Sequence, residues 1–310
     1  MKQKWTSADI GDLKGQRIVI TGASSGLGLH SATALAAAGA QVVMACRNQQ
    51  KGAQARDEVM AVTPGASVEV AALDLASLAS VRRFASEQAQ AGARIDVLLN
   101  NAGVMAVPYA RTEDGFETQI GTNHFGHFAL AAQLAPVLAD NARVVTVSSQ
   151  AHRWTPGIDL DDINWQQRKY KRWQAYGDSK LANLLFHFGL ARRAEAAGRG
   201  WTVVAAHPGY AATHLQLVAA EQKQSKLEAA IMNLGNRVFA QSGAMGALPS
   251  LYAATAPDVR SGDFFGPDGF QQMRGHPTRV PCRRAARDED LADRLWELSE
   301  RLTGCSFALG

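Results

Sequence analysis

A tyrosine and a lysine stand four positions apart in YGDSK, which begins at Tyr176 and ends at Lys180. In a helix, which the surrounding alanine- and leucine-rich stretch favours, this spacing places both side chains on one face. A tyrosine is a poor acid–base catalyst near neutrality because its ordinary pKa is about 10. A neighbouring ammonium favours the phenolate and lowers that pKa, so the pair could exchange a proton with a carbonyl or alcohol oxygen. In isolation, such a pair is more often just an exposed pair on a helix.

Three glycines follow the first β-branched run of the chain, in TGASSGLG (residues 21–28). Gly22 allows a tight turn, Gly26 lets the backbone approach a pyrophosphate, and Gly28 lets the next helix pack close to the sheet. Phosphates would then meet the amide groups of a helix N-terminus. The spacing is GxxxGxG, not GxGxxG. A dinucleotide-binding loop is the favoured interpretation, and a plain strand-to-helix turn is the alternative.

The elements that must position these residues alternate between strand and helix. Short runs that are apolar on both faces, as in a parallel sheet covered by helices, predict strands at Arg17–Thr21, Gln41–Ala45, Ser67–Ala71, Ile95–Asn100, Arg143–Ser148 and Trp201–Ala206. Helices are predicted at Leu27–Ala38, Gln49–Val62, Ser77–Ala91, Phe116–Ala139 and Ala175–Ala197. This alternation predicts an α/β fold with a Rossmann-type, doubly wound parallel sheet. The carboxyl ends of its strands then share one edge, where ligands bind.

The pattern is looser after the sixth predicted strand. It predicts helices at Leu215–Val238 and Gly243–Ala254, a short strand at Gly262–Phe265, and a last helix near Asp288–Leu302. We predict a single domain over residues 1–310, with a core at about 15–215 and a C-terminal helical elaboration on the substrate side at about 208–310. Leu215–Val238 is expected to form part of a mobile lid over the substrate.

Several motifs occur in an order that resembles the short-chain dehydrogenase/reductase family. They are TGASSGLG, NNAG around Asn101-Ala102-Gly103, Asn123 in TNHFGHFAL, Ser148-Ser149, YGDSK, and His207-Pro208-Gly209. Together they span about residues 15–215, and the combination is far more specific than any one of them. The stretches ACRN, SSQAH and YGDSKLANLLF most resemble the retinol dehydrogenase and protochlorophyllide reductase-like branch.

This resemblance implies an oxidoreductase that moves a hydride between a nicotinamide dinucleotide and a carbonyl/alcohol substrate. It assigns catalytic roles to Asn123, Ser149, Tyr176 and Lys180. Tyr176 would donate or accept the proton, and Ser149 would hydrogen-bond the same substrate oxygen. Asn123 would hold the helix and a water that relays protons to Lys180. Ser148 is the less favoured serine, because the family's residue is the second of the doublet.

The resemblance and the glycine turn also imply a set of cofactor contacts. In the family, an acid at the position of Asp74 bonds the adenine ring, while capping of the next helix is the local alternative, and the two roles are compatible. The other implied contacts are Gly22, Ser24, Ser25, Gly26, Leu27, Gly28, Arg47, Asn48, Leu75, Asn101, Ala102, Gly103, Tyr176, Lys180, Pro208, Gly209 and Thr213.

Arg47 bears on the choice between the two nicotinamide cofactors. NAD-specific sites usually place an acid at the end of the second strand, to bond the ribose hydroxyls of adenosine. Here the second predicted strand runs into Cys46-Arg47-Asn48, and the next acid is Asp57. A guanidinium can make a bidentate contact with a 2′-phosphate. NADP(H) is therefore predicted over NAD(H); the alternative is that Arg47 only begins the next helix in solvent.

Composition excludes several other classes of protein. Lys and Arg exceed Asp and Glu by only 32 to 28, and the excess is spread out, so a nucleic-acid partner is not predicted. The three cysteines form neither a CxxC pair nor a zinc-type spacing, so neither a disulfide framework nor a metal site is predicted. The N-terminal stretch has no apolar signal region, and no apolar run is long enough to span a bilayer. A cytoplasmic enzyme with a small-molecule substrate is expected, and association into a homo-oligomer is left open.

Two alternatives to an enzyme use the same fold. One is a non-catalytic, dinucleotide-binding sensor, which the presence of all four catalytic residues disfavours. The other is an interaction protein, which an exposed apolar patch on the C-terminal helices would favour.

The aromatic segment Ala151–Trp173 separates Ser149 from Tyr176 by 27 positions, about twice the spacing of compact family members. It contains Trp154, Trp165, Tyr170 and Trp173 among charged residues. A substrate-facing flap, an oligomer contact, and a surface loop with its aromatic side chains tucked in are all compatible with this pattern. The acids Asp161 and Asp162 are expected to lie on its solvated face.

Overall fold

A single sheet organises the molecule in the computed structural model, which describes residues 4–92, 94–210 and 241–309. Its strands are β1 (Arg17–Thr21), β2 (Gln41–Cys46), β3 (Ser67–Ala72), β4 (Ile95–Asn100), β5 (Leu138–Val147), β6 (Thr202–Ala206), β7 (Phe264–Pro267) and β8 (Pro277–Arg279). Their order across the sheet is β3-β2-β1-β4-β5-β6-β7-β8. The first seven strands are parallel, and β8 pairs with β7 in the antiparallel sense.

Helices flank this sheet. They are α1 (Gly26–Ala37), α2 (Gln49–Val62), α3 (Leu78–Gln90), α4 (Thr118–Ile120), α5 (Gly126–Leu134), α6 (Arg172–Ala196), α7 (Gly243–Thr255) and α8 (Glu289–Thr303). A π-helical turn, Gly121–Phe125, joins α4 to α5. Side-chain caps define several helix starts, since Asn48 accepts from the amide of Lys51 and Ser77 from that of Ser80. Within the three described ranges, no helix is both long and apolar enough to cross a membrane.

The core lies on both faces of the sheet, because alternate residues of each strand point to opposite sides. On β1, Val19 packs with one buried cluster, whereas Ile18 and Ile20 pack with the other. Both faces of β1 are therefore buried, which explains why residues 18–20 are apolar whichever face they point to. The doubly wound parallel fold predicted from the sequence is confirmed.

Sequence patterns were least informative between residues 116 and 147. The predicted helix Phe116–Ala139 begins at Thr118 and gives way to β5 at Leu138, five residues before the predicted strand start. Leu138 pairs with Ile95, and the register then shifts before Val97 pairs with Arg143. A continuous apolar run does not show where a buried helix becomes a buried strand, so the boundary prediction was wrong.

The topology brings the carboxyl ends of β1, β4, β5 and β6 to one edge. β1 lies between β2 and β4, so the strand order reverses direction at β1 and a crevice opens there. The glycine turn follows β1, NNAG ends β4, the serine doublet ends β5, and His207-Pro208-Gly209 follows β6. Every motif found in the sequence up to Gly209 therefore borders this edge or faces it from α4–α6. The predicted lid Leu215–Val238 lies outside the described residues.

Candidate active site

The turn after β1 can be built only with glycine at three positions. Gly22 and Gly26 have φ of +66° and +54°, which L side chains rarely adopt. A Cβ on Gly28 would lie 2.4 Å from the carbonyl oxygen of Gly22 and 2.7 Å from Nδ2 of Asn101. That amide also donates to the Thr21 carbonyl at 2.8 Å, so it ties the turn to the end of β4. The loop is thus a tight cradle at the N-terminus of α1.

We expect Gly28→Ala to damage this cradle, because its methyl group would push Gly22 and Asn101 apart. A clash of this kind costs about 1–3 kcal/mol, so both the thermal midpoint and the affinity for NADPH should fall. Thermal melts and NADPH fluorescence titrations would measure the two effects. Gly11→Ala is the matched control, since a Cβ there meets nothing within 4 Å. Parental stability and affinity in Gly28→Ala would contradict the close packing.

A cavity of about 250 Å³ lies above this cradle. Most of the predicted cofactor contacts line it: Gly22, Ser24, Ser25, Gly26, Leu27, Gly28, Arg47, Asp74, Leu75, Asn101, Ala102 and Gly103. Asn48 does not line the cavity, because its side chain caps α2. Thr213 lies outside the described residues. This lining suits a dinucleotide. Backbone amides of the glycine turn can bind its phosphates, and the guanidinium of Arg47 lies on the same cavity.

Two roles were predicted for Asp74, a contact with adenine and capping of the next helix, and the structure bears on the second. The N-cap of α3 is Ser77, so Asp74 does not cap that helix. Its Oδ1 accepts instead from the amide of Ala76 at 3.0 Å, and its own amide donates to the Ser80 hydroxyl oxygen at 3.0 Å. These contacts hold the carboxylate at the cavity wall.

A second cavity, of about 650 Å³, opens beside the first. The predicted residues Ser149, Tyr176, Lys180, Pro208 and Gly209 line it, and Leu27, Asn101, Gly103 and Val104 border both cavities. Its remaining walls include Met105, Trp154, Trp173, Tyr210 and Met273. A polar catalytic corner therefore faces a large space with mostly apolar and aromatic walls.

Tyr176 and Lys180 stand on one face of α6, as their spacing predicts, and both are buried. The Lys180 ammonium lies 5.8 Å from the centre of the Tyr176 ring and donates to the Val147 carbonyl at 3.2 Å. Burial raises the pKa of Tyr176, and a side-chain hydrogen bond with Ser149 acts in the opposite direction. Burial lowers the pKa of Lys180 to about 8. Burial disfavours the charged form of both groups, so the net direction for Tyr176 is upward, and a lowering of its pKa by Lys180 stays a prediction.

The two serines that end β5 differ in what they contact. The Ser148 hydroxyl donates to the backbone carbonyl of Lys180 at 2.8 Å, so it fastens β5 to α6. The oxygen of Ser149 accepts from the Ala151 amide at 3.2 Å, and its hydroxyl bonds the Tyr176 side chain inside the large cavity. The geometry favours Ser149 as the residue that contacts substrate.

Asn123 lies behind the cavity wall and does not line it. It sits in the π-helical turn, and its amide exchanges hydrogen bonds with the backbone of Val104 at 2.8 and 2.9 Å. Its Nδ2 also donates to the Ser179 hydroxyl at 2.9 Å. Asn123 therefore joins the loop after β4 to the helix that carries Lys180, in agreement with its expected holding role.

Other residues of the site gave no recognisable pattern in the sequence. The Thr21 hydroxyl accepts from the amides of Asn101 and Ala102, each at 2.9 Å, and so shapes the turn after β4. Gln272 contacts His207 at 3.0 Å and belongs to a loop that is more than 60 positions away in sequence. Only the fold brings Gln272 next to His207. Thr21 differs, because its position directly before the glycine turn could have identified it from the sequence.

The aromatic side chains of residues 151–173 fall into two groups, one that faces the large cavity and one that packs inward. Trp154 and Trp173 line the large cavity and form an edge-to-face pair with centroids 6.0 Å apart. Trp165 and Tyr170 are tucked inward and contact each other at 5.5 Å. The segment thus lines the large cavity with part of its length and packs as a surface loop with the rest. Asp161 is exposed as expected, but the expectation for Asp162 was wrong, because it is buried and accepts from backbone amides.

Several histidines are buried in the protein interior, and burial lowers their pKa values. The pKa of His127 falls to about 4, and those of His124, His187 and His207 fall to about 3. His127 contacts the Thr21 hydroxyl at 2.9 Å and His124 the Ser299 hydroxyl at 2.9 Å. Among the described residues, no group of His, Cys, Asp and Glu could hold a metal ion.

These histidines predict an acid-sensitive fold. The unfolded chain protonates them as the pH falls below about 6.5, whereas the folded chain keeps them neutral until roughly pH 3–4. Protons therefore bind preferentially to the unfolded state across this window, and stability is lost progressively as the pH falls. We expect the thermal midpoint to drop steadily between about pH 6.5 and pH 4. A constant midpoint over that range would contradict burial of neutral imidazoles.

Comparisons with known proteins identify the family to which the chain belongs. The family model for short chain dehydrogenases matches residues 16–158. Human retinol dehydrogenase 13 is 40% identical over 94% of this chain and 86% of its own length. The chain belongs to the short-chain dehydrogenase/reductase family. It is therefore an oxidoreductase of the dehydrogenase/reductase class, and the predicted likeness to the retinol dehydrogenase branch is confirmed.

Solved structures extend this likeness to the whole fold. A crystal structure of a protein from Mycobacterium paratuberculosis is 45% identical, with a TM-score of 0.80 over 98% of this chain and 99% of that one. RhlG from Pseudomonas aeruginosa, solved as an active-site complex with NADP, is 26% identical. It matches with a TM-score of 0.62 over 82% of this chain and 94% of its own. The short-chain dehydrogenase/reductase fold thus accounts for the sheet, the cradle and the cavity edge together.

Proposed function

We propose that this protein is an NADP(H)-dependent dehydrogenase/reductase acting on a bulky, largely apolar carbonyl/alcohol pair. The observation that carries the proposal is the continuity of the two cavities. Leu27, Asn101, Gly103 and Val104 border both, so a dinucleotide held at the cradle can extend to the corner formed by Ser149, Tyr176 and Lys180. The NADP-bound structure of RhlG supports the choice of cofactor class.

When bound, the nicotinamide cofactor supplies or accepts the hydride. The chain's own residues then handle the proton and the substrate oxygen. The phenol of Tyr176 is protonated near neutrality, because burial raises its pKa. In the direction of carbonyl reduction, its Oη donates this proton to the oxygen that becomes the alcohol. The Ser149 hydroxyl donates a hydrogen bond to the same oxygen and orients it.

Lys180 and Asn123 support this step from behind Tyr176. The pKa of Lys180, near 8, lets its ammonium take up and release protons in the working pH range. Asn123 fixes the loop after β4 against α6 and so maintains the spacing of the catalytic face. We propose that Lys180 returns a proton to the Tyr176 phenolate after each turnover and regains one from water, while Asn123 only holds the elements in place.

The size and lining of the large cavity support the substrate class. Its roughly 650 Å³ is walled by Met105, Trp154, Trp173 and Met273, which suit an extended apolar molecule better than a small polar one. The relative named retinol dehydrogenase 13 is consistent with that choice. Turnover of NADPH with a graded set of aldehydes and ketones tests it, and the proposal requires the kcat/KM to rise with apolar size.

Two further predictions from the sequence remain proposals. We propose a cytoplasmic location, which fractionation of cells would test. We also propose that the chain forms one domain, since every strand in the described ranges joins the same sheet. Association into a homo-oligomer remains open to measurement by light scattering.

A further inference from the structure

Two consecutive glutamines in the wall of the large cavity have a backbone conformation that residues other than glycine rarely adopt. Gln271 and Gln272 line the cavity, and their φ angles are +49° and +57°. A left-handed backbone of this kind is strained in residues with a side chain, and it persists only where neighbouring contacts impose it. Such strain is concentrated at ligand-binding and catalytic sites. The contacts that hold these glutamines therefore bear on function.

Side chains at the ends of two strands hold this loop. Gln150 directly follows Ser149 at the end of β5. Its Nε2 donates to the Gln271 carbonyl at 3.2 Å and to Oε1 of Gln272 at 2.8 Å. His207 follows β6, and its Nε2 lies 3.0 Å from the same Oε1. The Gln272 side chain is thus fixed next to the catalytic corner of the cavity.

Backbone groups determine which end of the Gln272 amide meets these contacts. The Gly209 amide donates to Nδ1 of His207 at 3.1 Å, so the ring hydrogen is on Nε2. Burial lowers the pKa of His207 to about 3, so the ring is neutral and has only that hydrogen. The Gln271 carbonyl can only accept, so the Gln150 atom that contacts it is the amide nitrogen. Both neighbours therefore donate, and the Gln272 atom between them must be the oxygen.

The amide nitrogen of Gln272 is not used by these contacts. This Nε2 carries two hydrogens and has no hydrogen-bond partner within the described ranges. It is not enclosed by protein atoms, and the half-buried residue lines the large cavity. Because the amide is already held in one orientation, a ligand that accepts from it has little side-chain ordering to impose.

Two other polar side chains that line this cavity differ from Gln272 in exposure and support. Arg153 is exposed, and its guanidinium donates to the Pro281 carbonyl at 2.5 Å. Gln271 is exposed, and no described residue bonds its side-chain amide. Neither side chain is fixed by two donors as the amide of Gln272 is.

We propose that Gln272 is a specificity-determining residue: its Nε2 faces the large cavity and donates a hydrogen bond to an oxygen that the substrate carries in addition to its reacting oxygen. The preferred substrate is then an apolar carbonyl or alcohol compound with a second, hydrogen-bond-accepting oxygen, such as that of an ether. This inference rests on the proposed function for the reaction and extends it to the identity of a second group on the substrate.

An oxygen scan along the substrate tests the role of Gln272. The probes are linear methyl ketones of equal length in which an ether oxygen replaces one methylene group at successive positions, each compared with the all-carbon ketone. Relative to the parent, Gln272→Met should lower the kcat/KM ratio of ether over all-carbon ketone about three- to tenfold at one position of the scan. The change should lie in KM, because a contact remote from the reacting carbon is made equally in the ground and transition states.

A second substitution retains the contacts that hold the loop. Gln272→Glu keeps the oxygen that Gln150 and His207 contact, and it replaces the amide nitrogen with an oxygen that accepts near neutral pH. This variant should disfavour the ether at the same position and favour a hydroxyl there, a reversal that a merely structural role would not produce. Gln271→Met and Arg153→Met are the matched controls. Each removes a polar group from the same cavity, and both should keep the parental ratios.

Ether ratios that are the same in the parent and in Gln272→Met at every position would overturn this role of Gln272. So would an equal loss in either control, or a loss spread evenly over the scan, since that pattern is a loosened cavity. If the parent turned over no ketone, the proposed function would fail. Calorimetric titration of the same ketones into the protein with NADP would then decide the role of Gln272, because the affinity ratio must fall at one position in Gln272→Met. Unchanged affinity ratios, or no binding, would overturn it.

Discussion

Replacing Tyr176 by phenylalanine is expected to reduce kcat by a factor of about a hundred to ten thousand, the usual contribution of a positioned general acid. The substitution removes only the phenolic oxygen, and the ring keeps its packing against Trp173 and Lys180. Affinity for NADPH and the thermal midpoint should therefore stay near their parental values. The loss should appear in both kcat and kcat/KM, because the proton is transferred only in the transition state.

Steady-state kinetics with NADPH and an apolar aldehyde would measure this loss. Tyr252→Phe is a matched control, since it removes the same atom from a residue on α7 that bonds Asp258 and lines neither cavity. We expect that control to keep parental turnover. A Tyr176→Phe enzyme whose kcat lies within a few-fold of the parental value would show that another group supplies the proton.

The second large effect concerns Arg47 and the choice of cofactor. Arg47 precedes the N-cap of α2 and lines the smaller cavity, and its guanidinium has no ion-pair partner within the described part of the chain. It is therefore available to a 2′-phosphate at that end of the cavity. A hydrogen bond to a charged group contributes about 1.5–3 kcal/mol, which corresponds to a roughly ten- to hundredfold preference for NADP(H).

Arg47→Asp should reverse that preference, because a carboxylate repels the phosphate and can accept hydrogen bonds from ribose hydroxyls. We expect the ratio of kcat/KM for NADPH over NADH to fall by at least about tenfold. Lys51→Asp is the control, since it makes the same charge change on the first turn of α2 without lining the cavity. If the parent used NADH as efficiently as NADPH, the assignment of Arg47 as the residue that binds the 2′-phosphate would be wrong.

The glycine turn, the parallel sheet and the shared face of Tyr176 and Lys180 could all be predicted from local sequence. Gly22 and Gly28 are required by a backbone conformation and by a close approach, so their positions alone predict the turn. Apart from their end residues, the neighbouring strands β1 and β2 are apolar, which predicts a sheet covered on both faces. Tyr176 and Lys180 share a face because helical geometry requires it.

What local sequence could not predict depends on contacts that form only in the fold. Asp162 looked like half of a solvated acidic pair, but three backbone amides and Arg168 hold it inside. Burial raises the pKa of Tyr176, an effect of the folded environment that the spacing to Lys180 does not reveal. The edge strand β8 begins with a proline and has only three residues, so it carries no alternation to recognise.

The central claim is that one continuous site binds NADP(H) and uses Tyr176 to exchange a proton with a bulky carbonyl/alcohol substrate. Absorbance assays of NADPH oxidation over a panel of aldehydes and ketones of increasing apolar size, with Tyr176→Phe run in parallel as the blank, test it most directly. The account predicts oxidation of one NADPH for each alcohol formed, faster with the larger apolar members and at least about a hundredfold slower with Tyr176→Phe. Binding of NADPH by the parent with no oxidation above the blank for any member, and no reduction of NADP by the matching alcohols, would contradict it and favour a non-catalytic dinucleotide-binding protein.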